Sequence, residues 1–144
     1  MDELDDTIIR ECLTRVKRIA VVGASAKPER PSYGVIQFLL RQGFDVTPVN
    51  PGLAGQTLLG QRVVGGLADA LPLEMVDIFR ASDQVGPVVD EAIRLGASVI
   101  WMQLGVINPL AAAAARAAGL RVVMDRCPMI EWRRLGLARS TPTA

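Results

Sequence analysis

Five short apolar runs punctuate this chain, at 19–22, 46–49, 76–79, 99–102 and 122–124, with helical patterns between them. No other feature constrains the fold as strongly. A run without polar alternation reads as a strand buried on both faces, the habit of parallel sheets. Strands joined through helices need crossovers, so a parallel sheet with helices on both faces is expected. Right-handed crossovers and one reversal of strand order make it a single doubly wound, mainly parallel α/β sheet. Ligands in such sheets bind at the carboxyl ends of the strands, near the reversal.

Turn and cap residues mark the borders. Asp5 or Asp6 caps a first helix running to about Thr14, with Ile8, Ile9, Cys12 and Leu13 on one face. Ser32 caps a helix from Tyr33 to about Gln42, and Gly43 ends it. Asn50-Pro51-Gly52 turns the chain out of the second run. Residues 53–66 are irregular, with a minor strand at 62–64, and 68–71 forms one helical turn. Ser82-Asp83-Gln84 leads into a helix over 85–95, closed by Gly96. Pro109 suits a first helical position, and that helix continues over 110–118 to Gly119. A closing helical turn spans 130–135. One domain over 1–137 and a flexible polar tail over 138–144 are expected.

Composition removes several function classes. The chain of 144 residues contains no histidine. Histidine is the usual general base and zinc ligand near neutral pH. Ser-His-Asp and Cys-His catalysis, phosphohistidine chemistry and most zinc sites therefore fall away, while Asp, Glu, Lys and Cys chemistry stays open. Sixteen basic and 15 acidic residues leave a net charge of +1, without the basic excess of a nucleic-acid binder. No apolar run approaches the ~18 residues of a membrane span, and no signal-peptide pattern is present. Two cysteines, Cys12 and Cys127, make no disulfide framework. A cytoplasmic domain that binds neither nucleic acid nor membrane, and no metal, is the expectation.

The strings that end the strands carry the chemistry. In Gly23-Ala24-Ser25-Ala26-Lys27-Pro28-Glu29-Arg30-Pro31-Ser32-Tyr33, the glycine lets backbone approach a ligand closely. A helix starting near Ser32 offers N–H groups and a positive dipole end to a phosphate. Ser25, Lys27, Arg30 and Ser32 add donors. The G-x-G-x-x-G dinucleotide fingerprint is absent, because Ala24, Ser25 and Ala26 follow the first glycine. Asn50-Pro51 stands where NAD-binding domains place an acid for the ribose hydroxyls; a neutral Asn tolerates a phosphorylated ribose, and a plain turn accounts for it equally well. Arg80 is either a forked phosphate donor or a solvated charge. Of Trp101, Met102 and Gln103, Gln103 is the better ligand contact. Cys127 is either a small buried hydrophobe or, with Arg126 beside it, a thiolate nucleophile.

Taken together and in order, these strings resemble the small stand-alone CoA-binding domain proteins, which are similar to the CoA-binding domain of succinyl-CoA synthetase alpha subunits. The matching pieces are 21–25 with Pro28, Arg30 and Ser32; 46–51; Gly60; 76–78; 101–105; and 125–128 with Glu131. The resemblance implies a Rossmann-like fold and coenzyme A or an acyl-CoA as ligand. It places the 25–27 loop at the CoA phosphates, Asn50-Pro51 beside the nucleotide and Met102-Gln103 near the pantetheine arm. The expected binding set is thus Gly23, Ala24, Ser25, Ala26, Lys27, Arg30, Ser32, Tyr33, Asn50, Pro51, Arg80, Met102 and Gln103, with no catalytic residue. Synthetase chemistry does not carry over, since that phosphohistidine lies in a second domain. Leu53 stands where the synthetases have a lysine, and Trp132 where small members often have a histidine. The competing reading is an NAD(P)-linked or Cys127-dependent enzyme. A homodimer, or a protein partner responsive to CoA, is compatible with either.

Overall fold

Both faces of the sheet are apolar, so both must be covered. The computed structural model describes residues 3–138; beyond Ala138, the tail expected over 138–144 lies outside the described residues. In chain order the elements are α1 (Glu3–Arg15), β1 (Arg18–Val22), α2 (Pro31–Arg41), β2 (Asp45–Val49), a small hairpin of β3 (Thr57–Leu58) and β4 (Gln61–Arg62), β5 (Met75–Ile78), α3 (Val85–Arg94), β6 (Val99–Met102), α4 (Pro109–Ala117), β7 (Arg121–Val123) and α5 (Pro128–Arg134). The main sheet has five strands in the order β2-β1-β5-β6-β7, and every pairing in it is parallel. The chain steps outward from β1 to β2 and then returns to the other side of β1. The reversal therefore falls between β1 and β5, the flavodoxin-like form of a doubly wound sheet.

Strand alternation sorts the core into two layers. Ile19, Val21, Val46, Met75, Val99, Trp101 and Val123 pack with α1, α2 and α5. Ala20, Val22, Val49, Val76, Ile78, Ile100, Met102 and Val122 pack with α3 and α4. Each fully buried aliphatic side chain contributes roughly 1.5–3 kcal/mol. The alanine run supplies Ala111, Ala112 and Ala115 to the second layer, where small side chains let α4 lie close to the sheet. In the first layer Trp132 meets Phe38 and Phe44 edge-on, with centroids 6.1 and 5.8 Å apart. Such pairs are worth about 0.5–1.5 kcal/mol each beyond their buried area, and they hold α5 to α2 and to the turn that leads into β2.

Several borders differ from the sequence reading. Asp5 and Asp6 lie inside α1 rather than at its cap; Asp6 instead pairs with Arg134 of α5 at 2.8 Å. α2 begins at Pro31, whose ring suits a first helical position, so Ser32 is not the cap; extended Arg30 is. The minor strand expected at 62–64 is the β3–β4 hairpin plus an isolated parallel bridge from Val49 to Val64. The expected turn at 68–71 is a single 3-10 turn over Leu67–Asp69. The closing turn is a full helix starting at Pro128.

Candidate functional site

Where β1 and β5 part, their loops leave a crevice of about 730 Å³, within the range of small-molecule sites. Gly23 forms its inner edge. Its φ is +84°, and a Cβ there would lie 2.1 Å from the carbonyl oxygen of Phe79. The Gly23 and Ala24 amides both donate to the Val49 carbonyl, at 3.1 and 3.3 Å. The start of the loop is thus welded to the ends of both neighbouring strands.

The rest of the loop is built from short polar side chains. Ser32, buried in the first turn of α2, accepts the Ser25 amide on its Oγ at 3.0 Å. Ser25 Oγ accepts the Lys27 amide at 3.1 Å. Asn50 Nδ2 donates to the Ala24 carbonyl at 2.8 Å, while its Oδ1 accepts the Gly52 amide at 2.8 Å. Both ends of the Asn50 amide are therefore used on backbone: this residue shapes the loop as well as bordering the crevice.

The crevice lining combines charge with apolar surface. Lys27, Arg30 and Arg80 contribute to it and are exposed. The N-terminus of α2 opens beside them, with no side chain capping it and no acid in its first turn among the described residues. Pro31 carries no N–H and the Tyr33 amide donates to the Arg30 carbonyl at 3.1 Å, so it is chiefly the helix dipole that favours an anion there. Val35, Phe79, Leu104, Val106, Met129 and Ile130 supply the apolar wall. The rim at 104–108 is braced: Ser82 Oγ donates to the Gly105 carbonyl at 3.2 Å and accepts the Ile107 amide at 2.9 Å, and Gly105 donates to Asp125 Oδ1 at 2.8 Å. A second cavity of about 200 Å³ shares Gly23, Asn50 and Arg80 with the first and is completed by Pro51, Gly65, Gly66 and Leu67, among others.

At the floor, Gln103 is only 5% exposed. With its amide nitrogen turned inward it donates to both carboxyl oxygens of Asp77, at 3.0 and 3.1 Å. Asp77 is fully buried in β5, and burial pushes its carboxyl well above the ordinary 3.8, because a low-dielectric interior disfavours the charged form. Cys127 also lines the crevice and is nearly buried. Arg126, its neighbour in sequence, has its guanidinium 3.6 Å from Glu131. Cys12 is in the core, its thiol pushed up to about 11 by burial. Among the described residues no group of His, Cys, Asp and Glu could hold a metal ion, and no helix is long and apolar enough to cross a membrane.

Of the expected set, Gly23, Ala24, Ser25, Lys27, Arg30, Ser32, Asn50, Arg80 and Gln103 line the larger cavity, and Pro51 lines the smaller. Ala26 and Tyr33 line neither. Met102 also lines neither, being fully buried in the layer packed with α3 and α4. Successive strand residues face opposite sides, so the side chains of Gln103 and Met102 do not share a surface. Phe79 and the α5 residues Met129 and Ile130 also line the larger cavity and stand outside the expected set. Asp77, also outside that set, is the one carboxyl in the otherwise apolar run 76–79, and that is the signal in the sequence that points to it.

A family model described as a CoA binding domain matches residues 17–133. The uncharacterized protein YneT of Bacillus subtilis (strain 168) is 38% identical over 120 residues, covering 83% of this chain and 87% of that protein. A solved structure of a hypothetical protein from Pyrococcus horikoshii OT3 is 41% identical, with a TM-score of 0.86, covering 95% of this chain and 100% of that one. The fold is also that of part of a dinucleotide-forming acetyl-coenzyme A synthetase 1 from Ca. Korarchaeum cryptofilum, at 22% identity and a TM-score of 0.67. That match covers 81% of this chain and 27% of the synthetase chain.

Proposed function

Because this chain belongs to the CoA-binding domain family, we propose that it binds coenzyme A or an acyl-CoA in the crevice between β1 and β5, without catalysing a reaction. One observation carries the reading. The crevice lining combines three cations, Lys27, Arg30 and Arg80, and the α2 N-terminus with an apolar wall and the nearly buried Gln103. A ligand that joins phosphates to a long uncharged arm matches that combination. The diphosphate lies over the Gly23–Ser32 loop, where Lys27, Arg30 and the α2 dipole favour negative charge. The adenosine occupies the smaller cavity next to Asn50 and Pro51, and the arm runs past Phe79 towards Gln103 and Cys127. Neutral Asn50, its amide already bonded to Ala24 and Gly52, does not offer the carboxylate that grips an NAD ribose.

Thermal-shift titration tests this. A ligand at 100 times its dissociation constant stabilises by about 2.7 kcal/mol. CoA raises the melting temperature, and dephospho-CoA does so less because one cation loses its phosphate. Substituting Lys27, Arg30 and Arg80 singly by Gln identifies that cation as the one whose loss abolishes the difference between the two ligands. A shift with NAD and none with CoA overturns the reading.

A further inference from the structure

The crevice floor contains a buried polar pair that loop and cations leave unexplained. Asp77 sits mid-strand in β5, paired in register with Val21 of β1 and Trp101 of β6, and is 0% exposed. A carboxyl taken out of water without partners costs several kcal/mol. The described hydrogen-bond partner of this one is Gln103, two residues beyond Trp101 on the same face of the sheet. Both carboxyl oxygens lie within 3.1 Å of a single atom of the Gln103 amide. Whether the carboxyl is ionised or protonated, at least one of its two oxygens can only accept, and an amide oxygen would face it unpaired, so that atom is the donor nitrogen. Its occupation points the amide oxygen the other way, and Gln103 is the polar residue through which this floor meets the crevice.

We infer that Asp77 is a positioning residue which fixes Gln103 as a hydrogen-bond acceptor, and that this acceptor selects a ligand carrying an amide N–H along its uncharged arm. An unanchored glutamine amide presents donor or acceptor alike and discriminates poorly. One whose nitrogen is held at a buried carboxyl presents only its oxygen, in a poorly hydrated place where an unmatched ligand leaves that oxygen unpaired. Among ligands with an anionic head and a long arm, the floor thus favours a peptide-like arm over a plain alkyl or ester-linked one. The inference rests on the crevice being the CoA site, since the pantetheine arm of CoA carries two such amides.

The test separates head from arm. Affinities for CoA, desulfo-CoA and adenosine 3′,5′-bisphosphate, which has no arm, are measured by calorimetry on the wild type, Gln103→Met, Asp77→Asn and the double variant. Gln103→Met keeps the volume and lowers CoA affinity about tenfold, the equivalent of one hydrogen bond, while adenosine 3′,5′-bisphosphate binds as before. Asp77→Asn gives the same pattern more weakly. The double variant loses no more than Gln103→Met alone, because Asp77 acts through Gln103. Desulfo-CoA follows CoA throughout. Equal losses for CoA and adenosine 3′,5′-bisphosphate would reduce the pair to a structural role and overturn the inference, as would unchanged CoA binding in Gln103→Met. If only ligands with a thiol responded, the contact would belong to sulfur and the amide assignment would fall. Should either single variant fail to fold, the other still decides through the same ratio. A wild type that binds none of the three defeats the CoA reading itself, a result distinct from all of these.

Discussion

Gly23 lies so close to the backbone of Phe79 that a β-carbon on it would stand 2.1 Å from the Phe79 carbonyl oxygen. This contact closes the inner edge of the crevice and brings the first strand's loop within reach of the third major strand. The φ of +84° is a second reason for glycine, since side chains rarely adopt it.

Gly23→Ala therefore meets both a backbone clash and a left-handed conformation. We expect a loss of roughly 3 kcal/mol in stability, read by urea denaturation. CoA-induced stabilisation disappears even in conditions where the variant is folded. A variant as stable as the wild type would show that β1 and β5 can separate at no cost.

Asn50→Ala removes the donor to Ala24 and the acceptor for Gly52 together. Loss of such a capping side chain costs about 1 kcal/mol. CoA affinity falls as well, because the carbonyl of Ala24 is released from its position. Asn50→Asp is worse than Ala at neutral pH, since a carboxylate then faces the Ala24 carbonyl. Comparing melting temperatures of the two variants with and without ligand checks the order.

The two thiols differ in accessibility. Cys127 lines the crevice, whereas Cys12 is packed in the core and its thiol is pushed up to about 11. A small alkylating reagent near pH 8 therefore modifies Cys127 first, slowly, as followed by peptide mass spectrometry. Saturating acetyl-CoA, which has no free thiol to consume the reagent, slows that modification about tenfold or more, because binding excludes the reagent from a filled site. Equal rates with and without acetyl-CoA would take the arm away from Cys127.

Asp77 makes stability depend on pH in a direction opposite to most carboxylates. Its folded pKa lies above the ordinary 3.8, so between these values the folded state binds more protons than the unfolded state. Stability contributed by this group then falls as pH rises from about 4 through the folded pKa. Asp77→Asn abolishes that part of the slope. The check is a set of urea melts between pH 4 and 8 on both proteins, whose difference should grow with pH in favour of Asn.

The elements were legible because their signals are local. Apolar runs flanked by Gly and Pro announced the strands and helices, and the first-loop string from Gly23 to Ser32 stood where a doubly wound sheet places its ligand. Less legible were features that depend on direction or distance. Ser32 looked like a cap, but its hydroxyl turns back to the Ser25 amide, seven residues away. Met102 and Gln103 looked alike as strand-end residues, yet the pleat sends one into the α3–α4 layer and the other to the crevice.

What the sequence determined by itself is the alternation of strand and helix, the expectation of a parallel sheet, and the cluster of glycine, hydroxyls and cations after the first strand. These follow from residue conformational preference and the need to bury apolar runs, which act over a few neighbours. Tertiary structure alone decided that β5 lies beside β1, and so that Phe79 closes on Gly23, that Asn50 ties Ala24 to the second strand, and that Asp77 meets Gln103. Each joins segments 26 to 56 residues apart. Such pairings are set by the packing of the whole sheet rather than by any local propensity.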